Sequence, residues 1–197
     1  SNAWSIASSG SIVHVVWYDS RYGHYEIYYK RSIDSGLNWG PDTRLTNSIN
    51  FATSPSVVIS GSDVHVVWSY REVFSEEIYY KRSTDSGMNW EPSIRLTTYD
   101  STNSIFPSIA VSGSDVHVVW HGANIQYMNS TDSGESWGQV IQLTNSPLAA
   151  VGASVAVSGS NVHVVWMDNR DGNWEIYYKR STNSGSSFVS QPFVTEH

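Results

Sequence analysis

A five-residue segment of apolar residues around one histidine, Val-His-Val-Val-Trp, occurs four times in the chain. Its histidines are His14, His65, His117 and His163, so successive copies are 51, 52 and 46 residues apart. A nearly continuous apolar run of this length predicts a strand that is covered on both faces. A repeat of about this size, built from short β segments, is typical of a propeller blade rather than of a helical solenoid.

Each repeat predicts three further strands around this segment. A serine- and glycine-containing turn separates it from a first strand, and a segment with alternating Glu, Tyr and Lys after it predicts a more exposed third strand. A short outer strand ends the repeat. The predicted first strands are 4–8, 56–60, 108–112 and 154–158; the third strands are 26–31, 77–82, 125–129 and 175–180; the outer strands are 43–46, 94–97, 140–144 and 193–196.

These elements predict one all-β domain over residues 4–197, a β-propeller of four blades, each a four-stranded antiparallel sheet. The expected blades cover about 4–46, 52–97, 106–144 and 152–196. No strand is left over to join the first blade to the last. We therefore expect a ring closed within one chain by side chains alone, with a dimer through exposed blade faces as the alternative.

A turn motif, Ser-x-Asp-x-Gly-x-x-Trp, follows each third strand. Its copies lie at 32–39, 83–90, 130–137 and 181–188, and Asn183 and Phe188 depart from it in the last. Asp accepts hydrogen bonds from turn amides, Gly takes a positive φ, and Trp folds back as an apolar plug. The motif therefore predicts a structural turn that fastens each blade.

These turns resemble the Asp-box, or BNR, repeats of sialidase-like β-propellers, and the resemblance covers nearly the whole chain. Trp-x-Asp-x-Arg followed by Glu-Ile-Tyr-Tyr, at 17–29 and 166–178, is similar to BNR-repeat proteins of secreted bacterial type. The resemblance implies boxes on the face opposite the ligand site and an extracellular or periplasmic location. Family sialidases usually carry six blades, whereas this chain has four repeats.

The loops between second and third strands are the candidate ligand site. They combine aromatic rings with Asp, Arg and His, which a sugar site requires. The alternative is that each Asp-x-Arg pair holds its own loop, with Arg stacked on an aromatic ring. The predicted ligand-binding residues are Asp19, Arg21, Tyr22, Tyr70, Arg71, His121, Asp168, Arg170 and Trp174.

Three arginines among these residues, Arg21, Arg71 and Arg170, are expected to face one basin and to bind an acidic group. Sialidases bind the sugar carboxylate with three arginines. This sequence has no Arg-Ile-Pro segment near its start and no convincing Tyr/Glu nucleophile pair with an Asp acid. We therefore predict no catalytic residues, and the recognition of a glycan or another surface ligand. The alternatives are a glycoside hydrolase of exo-sialidase type, or a fragment of one, and a protein-interaction scaffold.

Metal ions and cofactors are not expected. One histidine per repeat, on a second strand, does not converge on an ion, so we predict buried histidines bonded to carbonyl or hydroxyl groups. The segment 168–172 faintly resembles a calcium loop, but Arg170 stands where an oxygen ligand is needed.

Composition excludes several function classes. The net charge of −7 argues against a nucleic-acid surface. The sequence contains no run of eighteen apolar residues, so a membrane span is not predicted. The absence of Cys excludes disulfides and thiolate chemistry. Residues 1–3 resemble the remnant of a cleaved expression tag.

Overall fold

A computed structural model describes residues 2–47, 49–98, 102–145 and 150–190. Within these ranges the chain forms sixteen strands in four separate antiparallel sheets of four strands each. The predicted all-β fold of four four-stranded sheets is confirmed. The chain divides into two compact units, Ser1–Ile105 and Phe106–His197. No helix among the described residues is long and apolar enough to cross a membrane.

The first unit holds two sheets, each ordered as its strands follow in the chain. The first sheet consists of β1 (Asn2–Ser9), β2 (Ile12–Asp19), β3 (Glu26–Ser32) and β4 (Thr43–Arg44). The second sheet consists of β5 (Ala52–Ser60), β6 (Asp63–Arg71), β7 (Glu76–Ser83) and β8 (Ile94–Arg95).

The second unit repeats this arrangement. The third sheet consists of β9 (Ile105–Ser112), β10 (Asp115–His121), β11 (Ile125–Ser130) and β12 (Ile141–Gln142). The fourth sheet consists of β13 (Ala150–Ser158), β14 (Asn161–Asp168), β15 (Glu175–Ser181) and β16 (Val189–Ser190). The predicted outer strand 193–196 lies outside the described residues.

The two sheets of each unit pack face to face. This packing explains the apolar second strands, because β6 and β14 are covered by the preceding sheet of their unit. In the first unit the buried residues of this core include Val16, Ile27, Tyr29, Leu45, Val57, Val64, Val66 and Trp68. In the second unit they include Val119, Ile125, Tyr127, Leu143, Val155, Val162, Val164 and Trp166.

The third strands are more buried than predicted. Glu26 and Glu77 are fully buried, although both were expected on an exposed strand. The hydroxyl of Thr46 donates to Glu26, whose carboxylate also accepts from Arg44 at 2.6 Å. Thr97 donates to Glu77 in the same way. A buried carboxylate is tolerated where hydrogen bonds and a counter-charge replace water.

All four strand histidines bond to a tyrosine hydroxyl, as predicted. The Nδ1 atoms lie 2.6–2.7 Å from the hydroxyls in the pairs His14–Tyr29, His65–Tyr80, His117–Tyr127 and His163–Tyr178. Each pair joins the second and third strands of one sheet, so these histidines serve the fold.

The turn at 83–90 has the hydrogen bonds that the sequence predicts. Asp85 accepts from the backbone N–H of Asn89 at 2.8 Å, from its side-chain amide at 2.7 Å and from the hydroxyl of Ser83 at 2.7 Å. These bonds, the backbone N–H of Asn89 foremost, lower the pKa of Asp85 to about 2. In the last copy Asn183 accepts from the N–H of Ser187 at 3.0 Å.

The box turns of the second and fourth sheets also fasten these sheets to the preceding sheet of the same unit. The ring of Trp90 lies edge-on to Tyr29, with centroids 4.9 Å apart, and the guanidinium of Arg31 donates to the carbonyl of Ser86 at 2.8 Å. In the second unit Phe188 packs on Tyr127 at 4.8 Å. The turns therefore stabilise the contact between sheets as well as their own loops.

Replacing Asp85 by alanine is expected to lower the melting temperature by several degrees, because three hydrogen bonds that hold the turn are lost. Asp85→Asn is the matched control, since Asn183 already fills this place in the fourth copy. Thermal unfolding followed by circular dichroism compares the two variants. Equal melting temperatures for Asp85→Ala and the wild type would contradict the structural role of the turn.

Candidate functional site

The loops between second and third strands lie at the end of each sheet away from the box turns. Ser35 and Ser86 in the turns donate their N–H groups to Ser11 and Ser62 in the first hairpins, both at 2.8 Å. Successive strands are antiparallel, so the loops 20–25 and 72–75 lie at the opposite end. We call this the loop end.

In the first sheet the loop end is held by an Asp–Arg lock. Asp19 accepts from the backbone N–H of Arg21 at 2.7 Å and from its guanidinium at 3.1 Å. The guanidinium also donates to Asp42 at 2.8 Å and lies 4.3 Å from the ring centroid of Tyr28. Hydrogen bonding to Arg21 lowers the pKa of Asp19. Arg21 is therefore directed towards the outer part of its own sheet.

The fourth sheet has the same lock. Asp168 is fully buried, accepts from the backbone N–H of Arg170 at 2.9 Å, and is hydrogen-bonded to its guanidinium. That guanidinium lies 4.4 Å from the ring centroid of Tyr177. Trp174, in the same loop, is exposed. The guanidinium groups of Arg21 and Arg170 thus hold their own loops, which is the arrangement considered as the alternative to ligand binding.

The second sheet has other residues in place of this Asp–Arg lock. Asp19 pairs with Glu26 across the strands and Asp168 with Glu175, whereas the residue that pairs with Glu77 is Tyr70. Two residues further on, Glu72 therefore stands where the other two sheets have arginine. Arg71 lies one residue before that place, so the three arginines do not occupy the same position in the strand register. Arg71 is exposed, and its guanidinium has no hydrogen-bond partner among the residues that the structure describes.

Without an arginine over Tyr79, a cleft of about 430 Å³ opens between the first and second sheets. The rings of Trp68 and Tyr79 are stacked with centroids 6.0 Å apart, and Tyr70 meets Tyr79 edge-on at 5.2 Å. The hydroxyl of Tyr79 donates to Glu72 at 2.7 Å. The cleft is lined by Arg44, Leu45, Thr46, Asn47, Trp68, Tyr70, Tyr79, Lys81 and Ser93.

Polar groups surround this aromatic surface. The ammonium group of Lys81 donates to the carbonyl of Leu45 at 3.0 Å, and burial lowers the pKa of Lys81. Arg44 lies 5.7 Å from the ring centroid of Tyr22, which is itself exposed. Asn47 and Ser93 are exposed. An aromatic wall beside amide, hydroxyl and cationic donors can hold a sugar ring by stacking and by hydrogen bonds to its hydroxyls.

The remaining predicted site residue, His121, ends the second strand of the third sheet. It is half-buried, its Nδ1 has no hydrogen-bond partner among the described residues, and burial lowers its pKa. The sequence prediction missed Trp68, Tyr79 and Lys81. The signal available for them was Trp-x-Tyr-x-Glu at 68–72, where two other repeats have Trp-x-Asp-x-Arg. No group of three or more metal-ligating side chains occurs among the described residues.

The sequence matches no family model, and the comparison with curated proteins found no match. Among solved structures, the chain is similar to a GH43 endo-arabinanase from Bacillus licheniformis, with a TM-score of 0.62 and 15% identity over 95% of this chain and 73% of that one. It is also similar to Trypanosoma rangeli sialidase in complex with sialic acid, with a TM-score of 0.64 and 14% identity over 95% of this chain and 36% of that one.

NanB sialidase from Streptococcus pneumoniae, as its K499G mutant, gives a TM-score of 0.59 and 17% identity over 85% of this chain and 28% of that one. The chain thus spans about three quarters of the arabinanase and at most 36% of these two sialidases. At such identities the similarity concerns the fold alone. The fold is that of the propeller glycoside hydrolases.

Proposed function

We propose that this chain is a non-catalytic propeller that recognises a glycan or another surface ligand at the loop end. The observation that carries the proposal is the open cleft of the second sheet, where Tyr70 and Glu72 replace the Asp–Arg lock. The lock arginine lies over Tyr28 in the first sheet and over Tyr177 in the fourth. The corresponding aromatic surface of Tyr79 is left for a ligand.

The chemistry of the cleft favours a sugar. A pyranose or furanose ring offers C–H groups to an aromatic face and hydroxyls to donors at its edge. Tyr70 and Tyr79 supply the face, and Asn47 and Arg44 supply the donors.

The exposed residues around the cleft extend the proposed site. Tyr22 lies beside Arg44, and Arg71 follows Tyr70 with its guanidinium free to pair with an acidic group. In the second unit we propose that Trp174 and His121 bind ligand at the loop ends of their own sheets. We propose that the Asp–Arg locks of the first and fourth sheets act indirectly, by holding their loops in shape. Recognition of surface glycans also fits an extracellular or periplasmic location.

Glycoside hydrolysis is the second candidate, and the pair of Tyr79 and Glu72 favours it. A phenol hydrogen-bonded to a carboxylate at 2.7 Å is a possible nucleophile pair. Against it, burial and the bond to Glu72 raise the pKa of Tyr79, which opposes phenolate formation. Most glycoside hydrolases also need two carboxyl groups at the bond that is cleaved, and the described residues that line this cleft include no Asp or Glu.

Rebuilding the lock tests the proposal. The double variant Tyr70→Asp, Glu72→Arg gives the second sheet the residues of the first, so its arginine should lie over Tyr79 and fill the cleft. We expect affinity for the ligand to fall at least tenfold while the melting temperature stays within a few degrees of the wild type. Tyr79→Phe is the control, because it keeps the ring and removes only the bond to Glu72.

The measurement is a titration of tryptophan fluorescence with arabino-oligosaccharides and with sialyllactose. Equal affinity of the wild type and the double variant would contradict the proposal. Release of arabinose or sialic acid by the wild type, and not by Tyr79→Phe, would instead establish the second candidate.

A further inference from the structure

Inside each unit, the contact between sheets has two complementary sides. The preceding sheet contributes a tyrosine, and the following sheet contributes the box turn whose ring and glycine cover it: Trp90 and Gly87 cover Tyr29. The two sheets also share a hydrogen bond: the backbone N–H of Val57 in the following sheet donates to the hydroxyl of Ser5 in the preceding sheet at 3.1 Å. We call these the tyrosine side and the box side of a sheet.

The second unit makes the same contacts. Phe188 and Gly185 cover Tyr127, and the side-chain amide of Asn129 donates to the carbonyl of Ser184 at 3.2 Å. Ser108 accepts from the N–H of Val155 at 3.3 Å. The same contact therefore occurs in both units. In each, the tyrosine side of one sheet is covered by the box side of the next.

The box side of the first sheet is open. Trp39 is 42% exposed, and on the same sheet Trp4 is 73% and Ile6 64% exposed. A Cβ on Gly36 would meet nothing nearer than the ring of Trp39, at 3.9 Å. In the second sheet the corresponding glycine, Gly87, is closed off by the hydroxyl of Tyr29.

The tyrosine side of the fourth sheet is open as well. Met167 is 42% exposed and Val165 is 37% exposed. Tyr178 is half-buried, whereas Tyr29 in the covered first sheet is 1% exposed. Arg180, which occupies the place of Arg31, is exposed and has no hydrogen-bond partner among the residues described.

We propose that these two sides belong to one interface, made between two copies of this chain. The box side of the first sheet in one copy covers the tyrosine side of the fourth sheet in the other. Trp39 then packs on the second copy's Tyr178, and the second copy's Arg180 donates to the carbonyl of Ser35. Two such contacts, related by a two-fold axis, satisfy both open sides in a dimer.

The occupant is a second copy because the two sides carry the matched groups of the contact that each unit repeats. Exposed apolar surface of this kind is a typical site of association. The proposal is independent of glycan binding, since neither side includes a residue that lines the cleft.

Light scattering and a glycine substitution test it first. The dimer has twice the chain mass of 22.0 kDa. Gly36→Ala should raise the dissociation constant at least 100-fold, because its methyl group would stand where the second copy's Tyr178 hydroxyl lies, while nothing in its own chain obstructs it. Gly23→Ala, at another positive φ with no atom within 4 Å, is the control and should remain dimeric. A monomeric wild type, or a dimeric Gly36→Ala, would overturn the proposal.

Disulfide trapping identifies the faces, and the absence of natural cysteines removes any background. In the strand register Ser154 of the fourth sheet corresponds to Ser5, and Ile6 corresponds to Val57, which contacts Ser5 within the chain. In the proposed dimer Ser154 of one copy therefore lies beside Ile6 of the other. We expect a mixture of Ser154→Cys and Ile6→Cys chains to form an interchain disulfide on mild oxidation. Ser5→Cys with Val57→Cys in one chain is the positive control. The proposal fails if the mixed chains do not cross-link, or if a chain carrying Ser154→Cys and Ile6→Cys closes on itself as a monomer.

Discussion

Replacing Gly87 by alanine is expected to destabilise the protein by about 3 kcal/mol or more. Gly87 has a φ of +81°, and a Cβ there would overlap the hydroxyl and ring of Tyr29. Tyr29 cannot move away easily, because it is buried, bonded to His14 at 2.7 Å and covered by Trp90. Overpacking at a rigid contact therefore adds to the cost of the positive φ.

Gly172→Ala separates the two contributions. Gly172 has a φ of +97°, and a Cβ there would meet nothing within 4 Å, so this variant should lose only the backbone part, about 1–2 kcal/mol. Urea unfolding of the two variants and the wild type gives the difference. Equal destabilisation of Gly87→Ala and Gly172→Ala would show that the contact with Tyr29 does not limit this position.

Lowering the pH from 6.5 towards 4 is expected to destabilise the protein through its buried histidines. Burial lowers the pKa of His65 and of His14 from 6.5 to about 4. In this window the unfolded chain binds protons that the folded chain does not, so the free energy of unfolding falls as the pH falls. The expected loss is about 1–3 kcal/mol for each of these histidines.

Urea unfolding at pH 7 and at pH 5 tests the source of this dependence. In His65→Gln the difference in unfolding free energy between the two pH values should shrink. Tyr80→Phe removes the same hydrogen bond, 2.7 Å long in the wild type, but keeps the imidazole, so the pH difference should persist. If both variants keep the full difference, protonation of His65 is not its cause.

The fold was predictable from the sequence because its signals repeat. Val-His-Val-Val-Trp and the box turns mark the same strands and hairpins four times, and the predicted histidine–hydroxyl bonds are present in every sheet. Burial of the third strands was not predictable in this way. Glu26 suggests an exposed strand, and its partner Thr46 is twenty residues away in the sequence.

The candidate site was predictable only in part. The loops were identified by their aromatic and charged residues. Because Arg71 was compared with Arg21 and Arg170, the sequence prediction overlooked Glu72. Only the strand register, with Tyr70 opposite Glu77, places Glu72 where the other sheets have arginine. The cleft also depends on Arg44 and Lys81, which come from different sheets and carry no shared motif.

The proposal that the loop-end cleft recognises a glycan is tested most directly by the indole N–H signals of the nine tryptophans in a two-dimensional NMR spectrum. Arabino-oligosaccharides and sialyllactose are added to the isotope-labelled protein. We expect the signal of Trp68, which lines the cleft, to shift saturably while those of Trp39 and Trp90 in the box turns stay in place. Shifts confined to the box turns, or no shift with either type of sugar, would contradict it.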